Sequence, residues 1–283
     1  MTGSSQSKRA DLYFRIFGQR IKIRCSDDLF RRLLLANYQS MAVSAGEAEL
    51  EYSIDRQGEH GFCVFRGDKQ VLQETGFDAP AYFFVYLLEK LLTLDLQEQR
   101  KELYFVHASV LERGGRALMI VAESGTGKST TSWALLHHGF HYLSDELAPI
   151  DPGALTVYPY PHALCLKAVP PGPYPLPQAV IQTERTLHIP VAALPSPEIR
   201  EPRPLAALIF LQRKTVLAEP EYEPLSAAES STRLYANTLN ALAHPGSGLD
   251  AAISIAGSVP AYTVNAGELG ATCELISNIE SAL

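Results

Sequence analysis

Two hydrophobic patterns follow one another in the first third of the chain. Up to about residue 75, apolar positions form short runs rich in β-branched and aromatic residues, separated by glycine and charged residues, a pattern typical of strands and turns. From Pro80 to about residue 99, aromatic residues and leucines recur at helical spacing, which indicates core packing. The pattern predicts an N-terminal, mostly β module over residues 1–99 that ends in a helix. Its strand-like runs are residues 12–17, 20–23, 49–54 and 61–65.

After residue 100, strand and helix patterns intermingle, which favours an α/β domain over residues 100–283. A Gly114-Gly115 turn between two strand patterns predicts a hairpin, and seven prolines in residues 158–178 predict an irregular segment. A capping box, Ser226 with Glu229, predicts a helix that runs to about residue 244. The remaining predicted elements are strands over 104–111, 116–122, 140–143, 205–211 and 261–264, and helices over 128–138 and 271–282.

Composition and charge narrow the class of protein. The formal net charge of the 283 residues is -7, which argues against a nucleic-acid binder. The start of the chain lacks the apolar core of a signal peptide, and no apolar run reaches the length of a membrane span. The four cysteines are far apart, which favours reduced thiols over a metal knuckle or a disulfide framework. We therefore expect a cytoplasmic protein that binds neither nucleic acid nor membrane.

The segment with the most specific chemistry is 122–129, Ala-Glu-Ser-Gly-Thr-Gly-Lys-Ser. It matches the phosphate-binding loop pattern G-x-x-x-x-G-K-[ST], except that Ala122 replaces the first glycine. The glycines let consecutive backbone N–H groups point at an anion, Lys128 can reach the outer phosphates, and the Ser129 hydroxyl can bind Mg²⁺. A strand pattern before the loop and a helix pattern after it favour this interpretation over a chance glycine-rich turn. The predicted ligand is ATP with Mg²⁺, held by Ser124, Gly125, Thr126, Gly127, Lys128, Ser129 and Thr130.

A phosphate loop alone does not separate a kinase from an ATPase or a GTPase. The acidic pair Asp145-Glu146 ends the strand pattern that follows the loop's helix. One carboxylate could accept a proton from an attacking hydroxyl while the other holds Mg²⁺, although an ordinary acidic loop has the same composition. His107 precedes the loop in the predicted hairpin; taken alone, a strand histidine is usually structural.

The stretch from His107 to Ile150 resembles the catalytic core of the HPr serine kinase/phosphorylases. The likeness lies in His107, fifteen residues before the loop, in the loop itself, and in an acidic pair that begins seventeen residues after Lys128. It implies an α/β fold with a P-loop kinase core of the HPr kinase/PEP carboxykinase-like type. It also implies that Asp145 is the catalytic base, that His107 lies near the phosphates, and that Glu146, where the family usually has a second aspartate, joins Ser129 in binding Mg²⁺.

Within that family the chain is most similar to the shorter HPr-kinase-like proteins of peptide-tailoring systems, some of which phosphorylate a serine of a lasso peptide. The resemblance therefore implies a serine-containing peptide or small protein as acceptor, and a possible homo-oligomer. Two alternatives stay open, a kinase of a small hydroxylated metabolite and a non-catalytic nucleotide-sensing module. Lys167 or Arg213 could add positive charge to the transition state or be solvated surface charges. The proline-rich segment, with Tyr158, Tyr160 and His162, could shape the acceptor groove or be a rigid surface loop.

Overall fold

The computed structural model describes residues 10–57, 61–74, 81–213 and 219–283. The fold is mixed α/β, with several sheets and six α-helices among these residues. The chain divides into two compact units, Met1–Gln99 and Arg100–Leu283. Pro80, where the first predicted helix begins, and the polar start of the chain at residues 1–9 lie outside the described residues. No helix in the described ranges is both long and apolar enough to cross a bilayer.

The N-terminal unit contains a five-stranded sheet with strand order β1-β2-β3-β4-β5 and two helices. An aromatic cluster joins the helices to the sheet, because the ring of Phe62 lies 4.8 Å from that of Phe30 and 4.6 Å from that of Phe84. The elements are β1 (Ala10–Ile16), β2 (Gln19–Cys25), α1 (Asp28–Tyr38), β3 (Leu50–Gln57), β4 (Gly61–Arg66), β5 (Lys69–Glu74) and α2 (Ala81–Gln99).

The four predicted strands of this unit and its closing helix are confirmed, but the sequence pattern missed α1 and β5. The signals of α1 are present in the chain. Asp27 caps the helix by accepting hydrogen bonds from the backbone N–H groups of Leu29 and Phe30. The apolar face of α1, which includes Phe30, Leu33 and Leu34, is buried. The unit is therefore less purely β than predicted.

The C-terminal unit is built on a nine-stranded sheet and a separate three-stranded sheet of order β12-β14-β13. In the larger sheet β8 lies between β15, which is parallel to it, and β7, which is antiparallel. The elements are β6 (Tyr104–Val106), β7 (Ala108–Arg113), β8 (Arg116–Val121), α3 (Lys128–His137), β9 (His141–Ser144), β10 (Ala148–Asp151), β11 (Thr156–Val157), β12 (Leu164–Leu166), β13 (Ile181–Gln182), β14 (Leu187–Ile189), β15 (Arg203–Gln212), β16 (Glu221–Pro224), α4 (Ala227–Ala236), α5 (Leu249–Ser258), β17 (Ala261–Asn265) and α6 (Leu269–Ser281).

Helices cover both faces of this sheet, as the alternating side chains of β8 show. Leu118 and Ile120 point into a core shared with α3 and α6, whereas Met119 and Val121 point into a core shared with α4 and α5. A strand that is buried on both faces has a continuous apolar sequence. Burial on both faces therefore explains the apolar runs in β8 and β15. The two strands nearest the phosphate loop are therefore fixed by packing on either side.

Two predictions for this unit were wrong in detail. The strand predicted over residues 104–111 is broken at His107 into β6 and β7, because β6 pairs with β10 and β7 with β8. The helix opened by Ser226 has the predicted capping box but ends at Ala236 rather than near residue 244. There the chain turns to pair with β6, and Leu239 N donates to Phe105 O. The sequence also missed helix α5 and six strands, of which β12 lies inside the proline-rich segment. The other five strands are β10, β11, β13, β14 and β16.

Candidate active site

One edge of the large sheet brings together most of the residues that the sequence predicts to form a site. β8, β15 and β17 run parallel, while β7 runs antiparallel to both β8 and β9, so four strands end at the same edge. Ligands in α/β proteins bind in the crevice outside such carboxyl ends. The phosphate loop follows β8, Asp145 follows β9, and Arg213 follows β15, while His107 immediately precedes β7. The topology thus gathers residues that are distant in sequence.

The loop between β8 and α3 has the backbone that the motif predicts. Gly125 and Gly127 have φ angles of +90° and +108°, a region that residues with a Cβ avoid. Gly127 is the N-cap of α3, so the loop ends at the positive end of a helix dipole. Ala122, which stands where the motif has glycine, has no positive φ, and its methyl group is buried in the core beneath α3. The alanine is therefore compatible with the loop geometry.

The loop residues differ in their access to solvent. Ser124 and Gly125 are exposed, while Thr126, Gly127, Ser129 and Thr130 are partly exposed. Lys128 is the first residue of α3, in agreement with the helix predicted over 128–138, but unlike its neighbours it is only 7% exposed. It is buried because its ammonium group turns towards the end of β9. Its Nζ donates a hydrogen bond to the backbone carbonyl of Asp145 and lies 3.4 Å from the Oδ1 atom of the same residue.

Asp145 is the most enclosed carboxylate of this edge, with 1% of its surface exposed. Its Oδ1 faces Lys128, whereas its Oδ2 is buried and has no hydrogen-bond partner. A buried carboxylate oxygen without a partner is costly, and native structures keep few of them. Asp145 Oδ2 therefore has an unused acceptor position, which a hydroxyl could fill only once the side chains that cover it move.

A chain of serine side chains, which the sequence reasoning missed, ties the start of α3 to the strands beside it. Ser132 Oγ lies 2.7 Å from Ser109 Oγ and 2.9 Å from the Lys128 carbonyl oxygen. Ser109 Oγ in turn donates to the carbonyl oxygen of Ser144, the residue before Asp145. All three serines are fully buried. The network fixes the backbone of Lys128 relative to that of Asp145, and a run of small hydroxyl residues in α3 was its only sequence signal.

His107 lies beside the same pair of acidic residues. Its Nδ1 is 3.2 Å from the Glu146 carbonyl oxygen and 3.7 Å from Glu146 Oε2. Burial, followed by the positive charge of Lys128, lowers the pKa of His107 below its ordinary value. Because a carbonyl oxygen only accepts, the neutral ring carries its hydrogen on Nδ1, and Nε2 remains an acceptor. The structure thus places His107 close enough to Lys128 for the lysine charge to lower the pKa of the imidazole.

The residues predicted to hold Mg²⁺ are both accessible, since Ser129 and Glu146 are partly exposed. In the part of the chain that the structure describes, no group of three or more His, Cys, Asp or Glu side chains could hold a metal by itself. Mg²⁺ commonly takes one or two protein ligands and completes its shell with water and substrate phosphates. The residues present fit that kind of shared site.

Of the two candidate cations, Lys167 has the clearer link to the loop. It follows β12, and its Nζ lies 3.2 Å from Ser124 Oγ. Arg213 is exposed and directly follows the carboxyl end of β15, next to the loop strand. Near it, Asn265 at the end of β17 has a buried Oδ1 with no hydrogen-bond partner, a feature without a sequence signal. Positive and polar groups thus extend the loop site along the sheet edge.

The aromatic residues of the proline-rich segment are mostly packed inward. Tyr160 and His162 are 3% and 8% exposed, and their rings stack with centroids 5.8 Å apart. Tyr158 is partly exposed and faces the guanidinium group of Arg100. Two of the three predicted groove residues therefore support β9 and its surroundings rather than line an open surface.

No protein-family model matches this chain, and no curated protein does. Among solved structures, the chain is similar to one titled "Structure of the Hpr(Ser) kinase/phosphatase from Coxiella burnetii". The match covers 63% of this chain and 88% of that one, with 15% sequence identity and a TM-score of 0.33. A TM-score this low carries no argument about function, which therefore depends on the residues of the site.

Proposed function

We propose that this protein is an ATP-dependent kinase of the HPr kinase-like type that transfers the γ-phosphate to a serine hydroxyl of a peptide or small protein. The observation that carries the proposal is the contact between Lys128, at the end of the phosphate loop, and Asp145, whose Oδ2 is buried without a partner. A phosphate-binding cation and a proton acceptor are the two groups that phosphoryl transfer to an alcohol needs side by side.

The loop and α3 bind the phosphates through backbone N–H groups and the helix dipole. Lys128 then exchanges partners, because its ammonium group, which is held by Asp145 in this structure, is drawn to the β- and γ-phosphates. Lys167 adds a second positive charge beside Ser124. Mg²⁺, bound through Ser129 and Glu146, would neutralise charge on the phosphates.

The partner exchange of Lys128 prepares Asp145 for its own role. Once Lys128 leaves, the carboxylate has lost its cation and is a better proton acceptor. Its Oδ2 accepts the hydrogen bond of the acceptor hydroxyl, orients that hydroxyl towards the γ-phosphate and takes its proton. His107 offers its Nε2 as an acceptor for a hydrogen bond from the Lys128 ammonium group once that group has left Asp145. Proton transfer is thus coupled to nucleotide binding.

The N-terminal unit supports a peptide rather than a small alcohol as acceptor. It contains a groove of about 680 Å³ whose rim mixes cations with carboxylates. Some of these charges pair within the unit, as Lys22 does with Glu51 and Arg66 with Asp95, whereas Lys69 is exposed on the rim. An exposed cation there can contact an acidic side chain of an extended peptide, and such a remote contact can help to place the reacting serine. The charged lining residues are Lys22, Arg24, Glu49, Glu51, Arg66, Asp68 and Lys69. A cytoplasmic location and a homo-oligomeric assembly remain part of this proposal.

The experiment offers three acceptors to the full-length protein with ATP and Mg²⁺: a pool of serine peptides, the same pool with serine replaced by alanine, and a mixture of sugars and other alcohols. Mass spectrometry should show a gain of one phosphate in the serine pool only. Phosphorylation of the alcohols alone would replace the proposal with a metabolite kinase. Binding of ATP without product in any mixture would indicate a nucleotide-sensing module.

Lys69→Glu tests the role of the groove. Lys69 is exposed on its rim, so the reversal should weaken peptide phosphorylation without changing ATP affinity. Arg185→Glu, an exposed reversal in the turn between β13 and β14, serves as the matched control. Equal loss of peptide phosphorylation in the two variants would remove the groove from the proposal.

A further inference from the structure

The three-stranded sheet beside α3 has two unlike faces. Leu164, Leu166, Leu187 and Ile189 are buried in the core that contains α3. Because side chains alternate along a strand, the residues between them point to the other face. Cys165 of β12 lies there directly opposite His188 of β14. One face of the sheet therefore packs into the core, and the thiol of Cys165 lies beside the imidazole of His188 on the other face.

Cys165 and His188 are in contact. Cys165 Sγ is 3.6 Å from His188 Nδ1 and 3.5 Å from the Ala163 carbonyl oxygen. Both Cys165 and His188 are partly exposed. An imidazole nitrogen at this distance can take the thiol proton, and the thiolate is the nucleophilic form of cysteine.

The other three cysteines provide an internal contrast. Cys25, Cys63 and Cys273 are buried, whereas Cys165 is not. Burial raises the pKa of Cys25 to about 11 and that of Cys273 to about 12, and it also raises the pKa of Cys63. Buried cysteines in apolar surroundings are inert. Of the four cysteines, Cys165 is therefore the one whose thiol a reagent in solution can reach.

We propose that Cys165, activated by His188, is a modification site that reacts with small disulfides such as oxidised glutathione. His188 Nδ1 takes the thiol proton, and the Cys165 thiolate attacks one sulfur of the disulfide. A new S–S bond forms as the old S–S bond breaks, and the second sulfur leaves as a thiolate. The disulfide is the only oxidant that the step needs.

The position of the site links it to the phosphate loop. Lys167, two residues after Cys165, contacts Ser124 of the loop through its Nζ. A glutathionyl group at Cys165 would thus be attached to the segment that supplies this lysine. The chemistry of the thiol does not depend on the proposed kinase activity, so the two proposals can fail separately.

The test exposes the full-length protein to oxidised glutathione and locates the added mass by peptide mapping. One glutathione should be found, on the peptide that contains Cys165, and none in Cys165→Ser, while Cys63→Ser should react like the wild type. His188→Gln should react about tenfold more slowly at Cys165 because it lacks the base. Equal rates in His188→Gln and wild type, or modification spread over the buried cysteines, would overturn the proposal.

A second measurement covers the case in which a His188 variant does not fold. The rate at Cys165 in the native protein is compared with its rate in the same protein unfolded in urea at the same pH. We expect the native rate to be about tenfold higher, because only the folded chain holds His188 against the thiol. A native rate equal to or below the unfolded rate would show that the fold does not activate Cys165.

Discussion

Lys128 Nζ lies 3.4 Å from Asp145 Oδ1 and also donates to the backbone carbonyl of that residue, although the two residues belong to different elements of the sheet edge. Both side chains are buried, so each is the main compensation for the other's charge. In the proposed mechanism, the pair would therefore link stability to function. The contact between Lys128 and Asp145 compensates the charges of both residues in this structure. Binding of the outer phosphates by Lys128 would have to break that contact.

Replacing Lys128 by methionine should affect both properties. Without its charge on the transferring phosphoryl group, transfer should slow by about 10²–10³. Because Asp145 would remain buried without a cation, the free energy of unfolding should fall by about 3 kcal/mol, as measured by urea denaturation. The double variant Lys128→Met/Asp145→Asn should recover much of that stability and stay inactive. A single variant with near-normal turnover would exclude the loop as the catalytic site.

Asp145→Asn should separate binding from transfer. Asparagine keeps the shape of the side chain and removes the proton acceptor. We expect ATP affinity, measured by equilibrium titration, to stay within a few-fold of the wild type while phosphate transfer is lost. Glu146→Gln, at the neighbouring and more exposed carboxylate, should instead shift the Mg²⁺ concentration that gives half-maximal transfer. A large loss of ATP affinity with unchanged turnover in Asp145→Asn would assign that residue to nucleotide or metal binding.

Lys167→Ala should lower kcat/KM for ATP, because it removes one positive charge beside Ser124. The lysine is exposed, so solvent screens its charge, and we expect an effect of roughly tenfold on kcat/KM for ATP, smaller than that of Lys128→Met. Arg185→Ala, in the turn between β13 and β14, is a control for the loss of one exposed positive charge. Identical kinetics for the two variants would make Lys167 an ordinary surface residue.

The lowered pKa of His107 predicts that the stability of the protein depends on pH. Its pKa is lowered in the folded protein, so the folded state binds fewer protons than the unfolded state once the pH falls below the ordinary value of 6.5. Stability should therefore be retained above that pH and lost as the pH falls towards the folded pKa. His107→Gln should lose less stability than the wild type between pH 7.5 and pH 5.5, about two units across the ordinary value, when urea midpoints are compared. His137, whose pKa is also lowered, is unchanged in both proteins. Equal losses would show that His107 is not held in its neutral form.

Local signals predicted the backbone of the segment from β8 through the glycine-rich loop to α3. Gly125, Gly127 and Lys128 occupy the strand–loop–helix transition that their spacing indicates, because the loop geometry is set by backbone freedom within a few residues. The sequence also predicted the cap of α4 by Ser226, since a capping box needs only two residues three positions apart. Nucleotide binding itself stays a prediction.

What the sequence could not show depends on contacts between distant segments. At His107 the chain changes partner strand from β10 to β8, and the backbone N–H of His107 donates to the carbonyl oxygen of Asn237, far along the chain. The burial of Lys128 depends on the end of β9 lying beside α3, which no local pattern encodes. α1 is a different case, because the Asp27 cap and the apolar spacing of Phe30 and Leu33 were present and were missed.

Equilibrium titration of the full-length protein with ATP, in the presence of Mg²⁺, tests most directly whether the loop after β8 is a nucleoside triphosphate site. AMP, which lacks the outer phosphates that Lys128 would contact, serves as the comparison ligand, and Lys128→Met as the comparison protein. We predict saturable binding of ATP by the wild type, much weaker binding of AMP, and a large loss of ATP affinity in folded Lys128→Met. Equal affinity of the wild type for ATP and AMP, or unchanged ATP affinity in the variant, would contradict the assignment of this loop as the phosphate-binding site.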